Sequence, residues 1–362
     1  MHFTYRWTPP ATTENLYPYE NLYGATFYYG YLGVEFFFII SGFVISYTLE
    51  NTNGMASFLK NRFIRLFPPM LLCSLITFSI CILFDDKIIF ENAHIVRNFL
   101  PSLTFTNPSL WEAVTHKHFS FISFSYWSLW VEVQFYIVSA ILFFSNRKQF
   151  LRNLILATIV INLLNYIPVR VINPASYDNL PNWVNSFLTL LYYNRLHFNL
   201  NAYISWFAIG VIFHHLFKKR EVRIKSLTGV GILFIFLNQL YLCAELQVRI
   251  TYLIMIGLFF CMVYRIKYLN FLDNPIFRRI GVISYSIYLI HEVIGVLLIN
   301  KYGGYLGKWS PISPFLAIVF VIVFAELSYR FYEKKATRML KTILFRTRAN
   351  HNNNQLSKAI PD

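Results

Sequence analysis

An all-α bundle of transmembrane helices is the fold class the sequence predicts, and three observations predict it. Of the 362 residues, 56% are hydrophobic and only 14% charged, well above the apolar share and below the charged share of an average soluble domain. The apolar residues gather in continuous runs long enough to cross about 30 Å of hydrocarbon as helices. Those runs do not alternate apolar with polar at period two, which argues against barrel strands, the other solution lipid tolerates.

In chain order, the first run covers 28–48 and is followed by a basic segment at 60–65. The run 66–84 leads into a long polar segment, about 85–120, and the run 124–144 ends at a second basic cluster, 147–152. The run 150–167 opens a second long segment, about 168–199, and the run 200–217 ends at a third basic cluster, 218–225. Runs at 227–243 and 250–265 flank a short connection, a basic stretch at 265–279 follows, and the runs 280–299 and 312–331 close the series. This predicts nine spans in one domain over residues 1–340, with a basic, polar tail over 341–362 that is too hydrophilic to fold alone.

The net charge of +15 would direct a soluble protein toward nucleic acid, but here its distribution assigns it to topology. The basic segments and the tail hold 22 lysines and arginines, the opposite loops nine. The positive-inside rule therefore predicts the amino-terminal side outside and the carboxyl tail in the cytoplasm, with anionic lipid as a partner and no nucleic acid. Cys73, Cys81, Cys243 and Cys261 fall in or beside apolar runs and read as small buried hydrophobes, with neither a disulfide framework nor a metal spacing. The first thirty residues lack the apolar core of a signal peptide, so nothing visible there exports the amino terminus.

Ionisable groups within a membrane are functional candidates, and the set is short: Glu35, Glu132, His291 with Glu292, and Glu326. In NRFIRLFPP, Arg62 and Arg65 stand three apart on one helix face, where planar guanidinium forks suit phosphate; ordinary positive-inside anchors are the competing reading. In SYWSLWVEVQFY, Ser128, Glu132 and Phe135 or Tyr136 share a stripe that would turn Glu132 inward. It could hold an imidazole, accept a proton, or serve only as an interhelical anchor. In ISYSIYLIHEV, Ser284, Tyr288 and His291 follow at i, i+4 and i+7, a polar stripe that could equally be packing. The two long segments carry Trp111, His116, His118, Trp183 and His197, and loops of that length usually have a function. No nucleophile elbow, phosphate loop or zinc spacing is present, so chemistry must be assembled from several helices.

As a set, these motifs resemble acyltransferase family 3, integral membrane proteins that transfer acyl groups, most often acetyl, onto extracytoplasmic carbohydrates. GYLGVEFFFIISGF matches the family's first signature through Gly30, Gly33, Val34, Glu35, Phe37, Phe38, Ser41 and Gly42, with Glu35 where aspartate is usual. FLKNRFIRLFPP matches its paired arginines through Arg62, Arg65 and Pro68, and WSLWVEVQFY its next motif through Trp127, Ser128, Leu129, Glu132, Gln134, Phe135 and Tyr136. ISYSIYLIHE and ELSYRFYEK, with Glu333, follow in the family's order.

The resemblance implies ten spans in a complete member and a catalytic histidine in the first. The spacing from His2 to Gly33 resembles that stretch with everything before the histidine removed, so His2 is the expected counterpart. It further implies a bacterial inner (plasma) membrane location and acetyl-CoA or another acyl-CoA as donor, with no bound cofactor or metal. The acceptor would be a surface carbohydrate such as O-antigen or capsule. Arg62 and Arg65 would hold the donor's phosphates, His2 would take the hydroxyl proton, and Glu132 would orient or balance it. Glu35, Ser41, Trp127, Ser128, Tyr136, Ser284, Tyr288 and His291 would line the site. An inactive truncated paralogue and a carbohydrate or lipid transporter are the rival expectations.

Overall fold

The computed structural model of the chain describes residues 22, 28–86, 89–170, 181, 183, 184, 187, 198–219, 227–242, 245–264, 271 and 273–356. Among them there is no strand, and all nine predicted apolar runs fall largely within helices. We number the helices α1 (Gly33–Glu50), α2 (Met55–Phe84), α3 (Phe99–Thr104), α4 (Pro108–Thr115), α5 (Trp127–Ser145) and α6 (Phe150–Arg170). The series continues with α7 (Leu200–Lys219), α8 (Leu227–Leu242), α9 (Leu246–Val263), α10 (Pro275–Tyr302), α11 (Ser313–Ser328) and α12 (Lys334–Leu356).

Six helical stretches of the described residues are long and apolar enough to cross a membrane, the last being Pro275–Phe345, which contains α10, α11 and the start of α12. Helix α8, with 16 residues, falls short on length. The chain is an integral membrane protein. Residues 341–356, read from the sequence as unfolded tail, continue helix α12.

The prolines explain one boundary that the sequence misplaces. Helix α2 starts eleven residues before the predicted run and passes through Pro68 and Pro69. Neither proline has an N–H to give, so the carbonyls of Ile64 and Arg65, one turn earlier, lose their helical donors.

Among the described helices, α1 and α7 approach each other backbone to backbone. A Cβ built on Gly42 would stand 2.1 Å from the Phe207 carbonyl oxygen, and one on Gly210 would stand 2.0 Å from that of Ile39. Only hydrogen fits at either position, which is how small residues let membrane helices touch backbone to backbone. The aromatic rings of Phe38, Phe207 and Phe135 stack beside this crossing at centroid distances of 4.6 and 4.2 Å and tie α5 to the pair.

The basic segments gather at one end of the bundle. Arg147 donates to the carbonyls of Thr52 and Asn53, Lys218 pairs with Glu50 at 2.8 Å, and Lys60 reaches the Leu344 carbonyl.

The segment 85–120 forms a cap at the other end. Buried Asp85 accepts from the backbone N–H groups of Ile89 and Phe90 and pairs with His94 at 3.2 Å. Trp111 donates to Thr106, His118 pairs with Glu112 at 2.7 Å, and His116 caps α4. These three are engaged within the cap. Of the second long segment, only a few residues are described, Trp183 among them; His197 and Cys243 lie outside the described residues.

Candidate active site

A cavity of about 600 Å³ opens between α1, α2, α5, α7 and α10. Its chemistry comes from residues that each helix turns away from lipid. Helix α2 contributes Arg65 about three turns in from the basic end, and α5 contributes Trp127 together with Glu132 and Tyr136, the last two one turn apart. Glu35 enters from the first turn of α1, and Ser284, Tyr285, Tyr288 and His291 form the α10 wall. Eight of the twelve expected site residues therefore share one space: Glu35, Arg65, Trp127, Glu132, Tyr136, Ser284, Tyr288 and His291.

Ser41 and Ser128 stand directly behind this lining. The Ser41 hydroxyl donates to Glu132 Oε1 at 2.5 Å, in the range of a charge-assisted hydrogen bond to a carboxylate. Glu132 is 6% exposed, and a carboxylate that deep is tolerated only with such partners. Ser128 Oγ lies 2.6 Å from the Tyr288 hydroxyl, which donates to the Ser125 carbonyl. On the α5 stripe Tyr136, not Phe135, reaches the cavity; Phe135 is spent on the aromatic stack.

The two arginines part company. Arg65 is exposed toward the cavity, whereas Arg62 is 5% exposed, donates to Thr48 and packs its guanidinium over the rings of Phe58 and Tyr136, each 5.4 Å away. Arg62 forms no ion pair within 4 Å among the described residues, so its charge is not cancelled by direct contact with a carboxylate.

On α10, the His291 imidazole donates Nδ1–H to the Tyr288 carbonyl, 2.6 Å away. A carbonyl can only accept, so in the neutral ring Nε2 is the basic nitrogen. Glu292, about 100° around the helix from His291, accepts from Ser123 Oγ at 2.6 Å and from the Ser125 backbone at 2.7 Å. It thereby fixes the turn that leads into α5 and presents the carbonyl to which Tyr288 is bonded. Glu326 faces the basic end, where Arg279 grips it at 2.7 and 2.8 Å, and takes no part in the cavity.

Tyr285, Tyr203 and Tyr31 also line the cavity, and sequence reasoning missed all three as site residues. Tyr285 stands one position off the Ser284–Tyr288–His291 stripe, about 100° around the helix, so periodicity assigned it to another face. Its hydroxyl is buried and has no hydrogen-bond partner. His2 lies outside the described residues. Among the described residues no group of three or more His, Cys, Asp and Glu could hold a metal ion.

The fold and the cavity together define a polytopic membrane protein with charged and aromatic side chains converging on one space between its helices. The sequence profile of the acyltransferase domain of family 3 matches residues 1–328, and the chain belongs to that family. It is 24% identical over 338 residues to the O-acetyltransferase OatA of Staphylococcus aureus strain NCTC 8325 / PS 47. The same figures hold for OatA of strain MRSA252, with 84% of this chain and 52% of the relative covered in each case. The chain thus spans about half the length of the curated relatives it matches. No solved structure matches it.

Proposed function

We propose that the chain is a membrane O-acyltransferase that moves an acyl group, acetyl above all, from a cytoplasmic acyl-CoA to a hydroxyl of an extracytoplasmic carbohydrate. One observation carries the reading: a single cavity contains a guanidinium, Arg65, toward the basic end and a carboxylate, an imidazole and aromatic rings farther in. The charge asymmetry supports a cytoplasmic basic end and carboxyl tail in a bacterial plasma membrane.

On this reading the donor's phosphates lie against Arg65, with Arg62 adding charge from beneath. The thioester then reaches the level of Glu132 and Tyr136. The acceptor approaches from the capped end, where Trp127, Tyr203 and Tyr31 offer flat faces to a sugar ring. Its oxygen attacks the thioester carbonyl carbon, a C–O bond forms, the C–S bond breaks, and the hydroxyl proton passes through an imidazole to the departing thiolate. The resemblance assigns that imidazole to His2; His291 is the described imidazole on the cavity wall. Glu132, held by Ser41, balances the transient positive charge.

The test is base-labile acetyl on envelope glycans of a strain lacking the gene, then complemented with this chain or with its Arg65→Ala variant. Restoration by the wild-type chain and failure of the variant support the reading. Unchanged acetyl on deletion overturns it.

A further inference from the structure

Among the described residues of the cavity wall, Tyr285 presents a hydrogen-bonding mismatch. Its hydroxyl is shielded from solvent and has no hydrogen-bond partner. Its neighbours on the same helix are engaged: Ser284 donates to the Gly281 carbonyl, Ser286 to Glu333 and Tyr288 to the Ser125 carbonyl. Glu132, which lines the same cavity from α5, accepts a hydrogen bond from Ser41. A buried O–H left without an acceptor is costly, and native proteins retain few of them. A phenylalanine would fill the same space at no such cost, so the hydroxyl calls for a reason beyond packing.

We infer that the Tyr285 hydroxyl is the hydrogen-bond donor to the carbonyl oxygen of the acyl donor, stabilising the oxyanion that forms when the acceptor alcohol attacks. The inference rests on the acyl-CoA reading above and deepens it. An uncharged donor held dry is suited to that task, because a thioester carbonyl is a weak acceptor in the ground state and a strong one once charge develops. Tyr285 keeps its proton throughout. The pair of electrons from the C=O bond rests on the carbonyl oxygen during attack, returns as the C–S bond breaks, and the alcohol proton follows the route through the imidazole to the thiolate.

The placement fits this assignment. Tyr285 shares the cavity with Arg65, the proposed phosphate contact, and with Glu132 and Tyr136, the level at which the thioester would lie. Tyr288, the other α10 phenol on the cavity, already spends its hydrogen on Ser125.

The experiment uses the full chain in detergent or nanodiscs and two CoA thioethers that cannot transfer a group: S-acetonyl-CoA, which keeps a carbonyl, and S-propyl-CoA, which lacks one. Affinities are measured for the wild type and Tyr285→Phe, with thermal unfolding of both. The wild type is expected to prefer the acetonyl compound by about tenfold, the ground-state worth of one well-made hydrogen bond. Tyr285→Phe is expected to erase that preference while binding S-propyl-CoA unchanged, and to unfold at the same temperature or higher. Turnover with acetyl-CoA should fall by on the order of a hundredfold, with little change in the donor's KM. A preference that survives in Tyr285→Phe, or a variant that unfolds at clearly lower temperature, overturns the assignment. Failure of the wild type to bind either thioether overturns the acyl-CoA reading and this inference with it.

Discussion

Ser41 and Glu132 are joined by a 2.5 Å hydrogen bond across 91 residues of sequence. The bond locks the first motif helix, α1, to the glutamate of α5 and sets the carboxylate on the cavity wall. Ser41→Ala leaves a buried carboxylate short of a donor, and the expected cost is about 1–3 kcal/mol of stability. Glu132→Gln keeps the shape and should cost less. The double variant should be more stable than the sum of the two single effects, by roughly 0.5–3 kcal/mol. Denaturation in detergent measures all three, and strict additivity would show that the contact carries no coupling.

Gly42, the residue after Ser41, and Gly210 on α7 meet across the same crossing of α1 and α7. Gly42→Ala drives a methyl into the Phe207 carbonyl, and Gly210→Ala does the same toward Ile39. Both obstacles are backbone and cannot rotate aside. Each substitution should therefore lower stability by about 1–3 kcal/mol or more. Gly257→Ala, where nothing stands within 4 Å of the added carbon, serves as the control and should gain roughly 0.5–1 kcal/mol from helix propensity. Equal thermal shifts for Gly42→Ala and Gly257→Ala would refute the close crossing.

These two contacts show what sequence could and could not reveal. Run length located the helices, because lipid leaves the backbone no alternative to internal hydrogen bonding, and the polar stripe Ser284–Tyr288–His291 was legible as spacing alone. The partner of Glu132 was not: Ser41 sits on another helix, and no periodicity links positions 41 and 132. The start of α2 was misplaced because Lys60, Arg62 and Arg65 interrupt the apolar run, although a helix extends into the basic layer as readily as into lipid. Arg62 and Arg65 looked equivalent in spacing, yet the rings of Phe58 and Tyr136 bury the first and leave the second at the cavity. Tyr285 was hidden because a stripe drawn at helical period omits the residue beside it, and a cavity is wider than a stripe.

That division between the arginines predicts different phenotypes. Arg65→Ala should raise the donor's KM by on the order of tenfold, with Arg65→Lys intermediate because an ammonium offers a point charge in place of a planar fork. Arg62→Ala removes a buried group packed on two rings, so its first effect should be on stability. Donor titration of the folded variants separates the two. Arg62→Ala with normal stability and Arg65→Ala with normal donor KM would together reverse the assignment.

Glu292 never touches the cavity, yet it should matter to turnover. Its carboxylate holds Ser123 Oγ and the Ser125 N–H, and the Ser125 carbonyl in turn receives the Tyr288 hydroxyl, whose own backbone carbonyl fixes His291. Glu292→Ala strips two donors of their acceptor and frees the turn before α5, for a stability loss of about 1–3 kcal/mol. Glu292→Gln retains one acceptor oxygen and should be milder. Because the effect reaches the substrate only through Tyr288 and His291, kcat should fall while the donor's KM stays near the wild-type value. Glu292→Gln should recover most of the lost kcat. A rise in donor KM with kcat intact would place Glu292 on the binding path, and an unchanged kcat in folded Glu292→Ala would remove it from any positioning role.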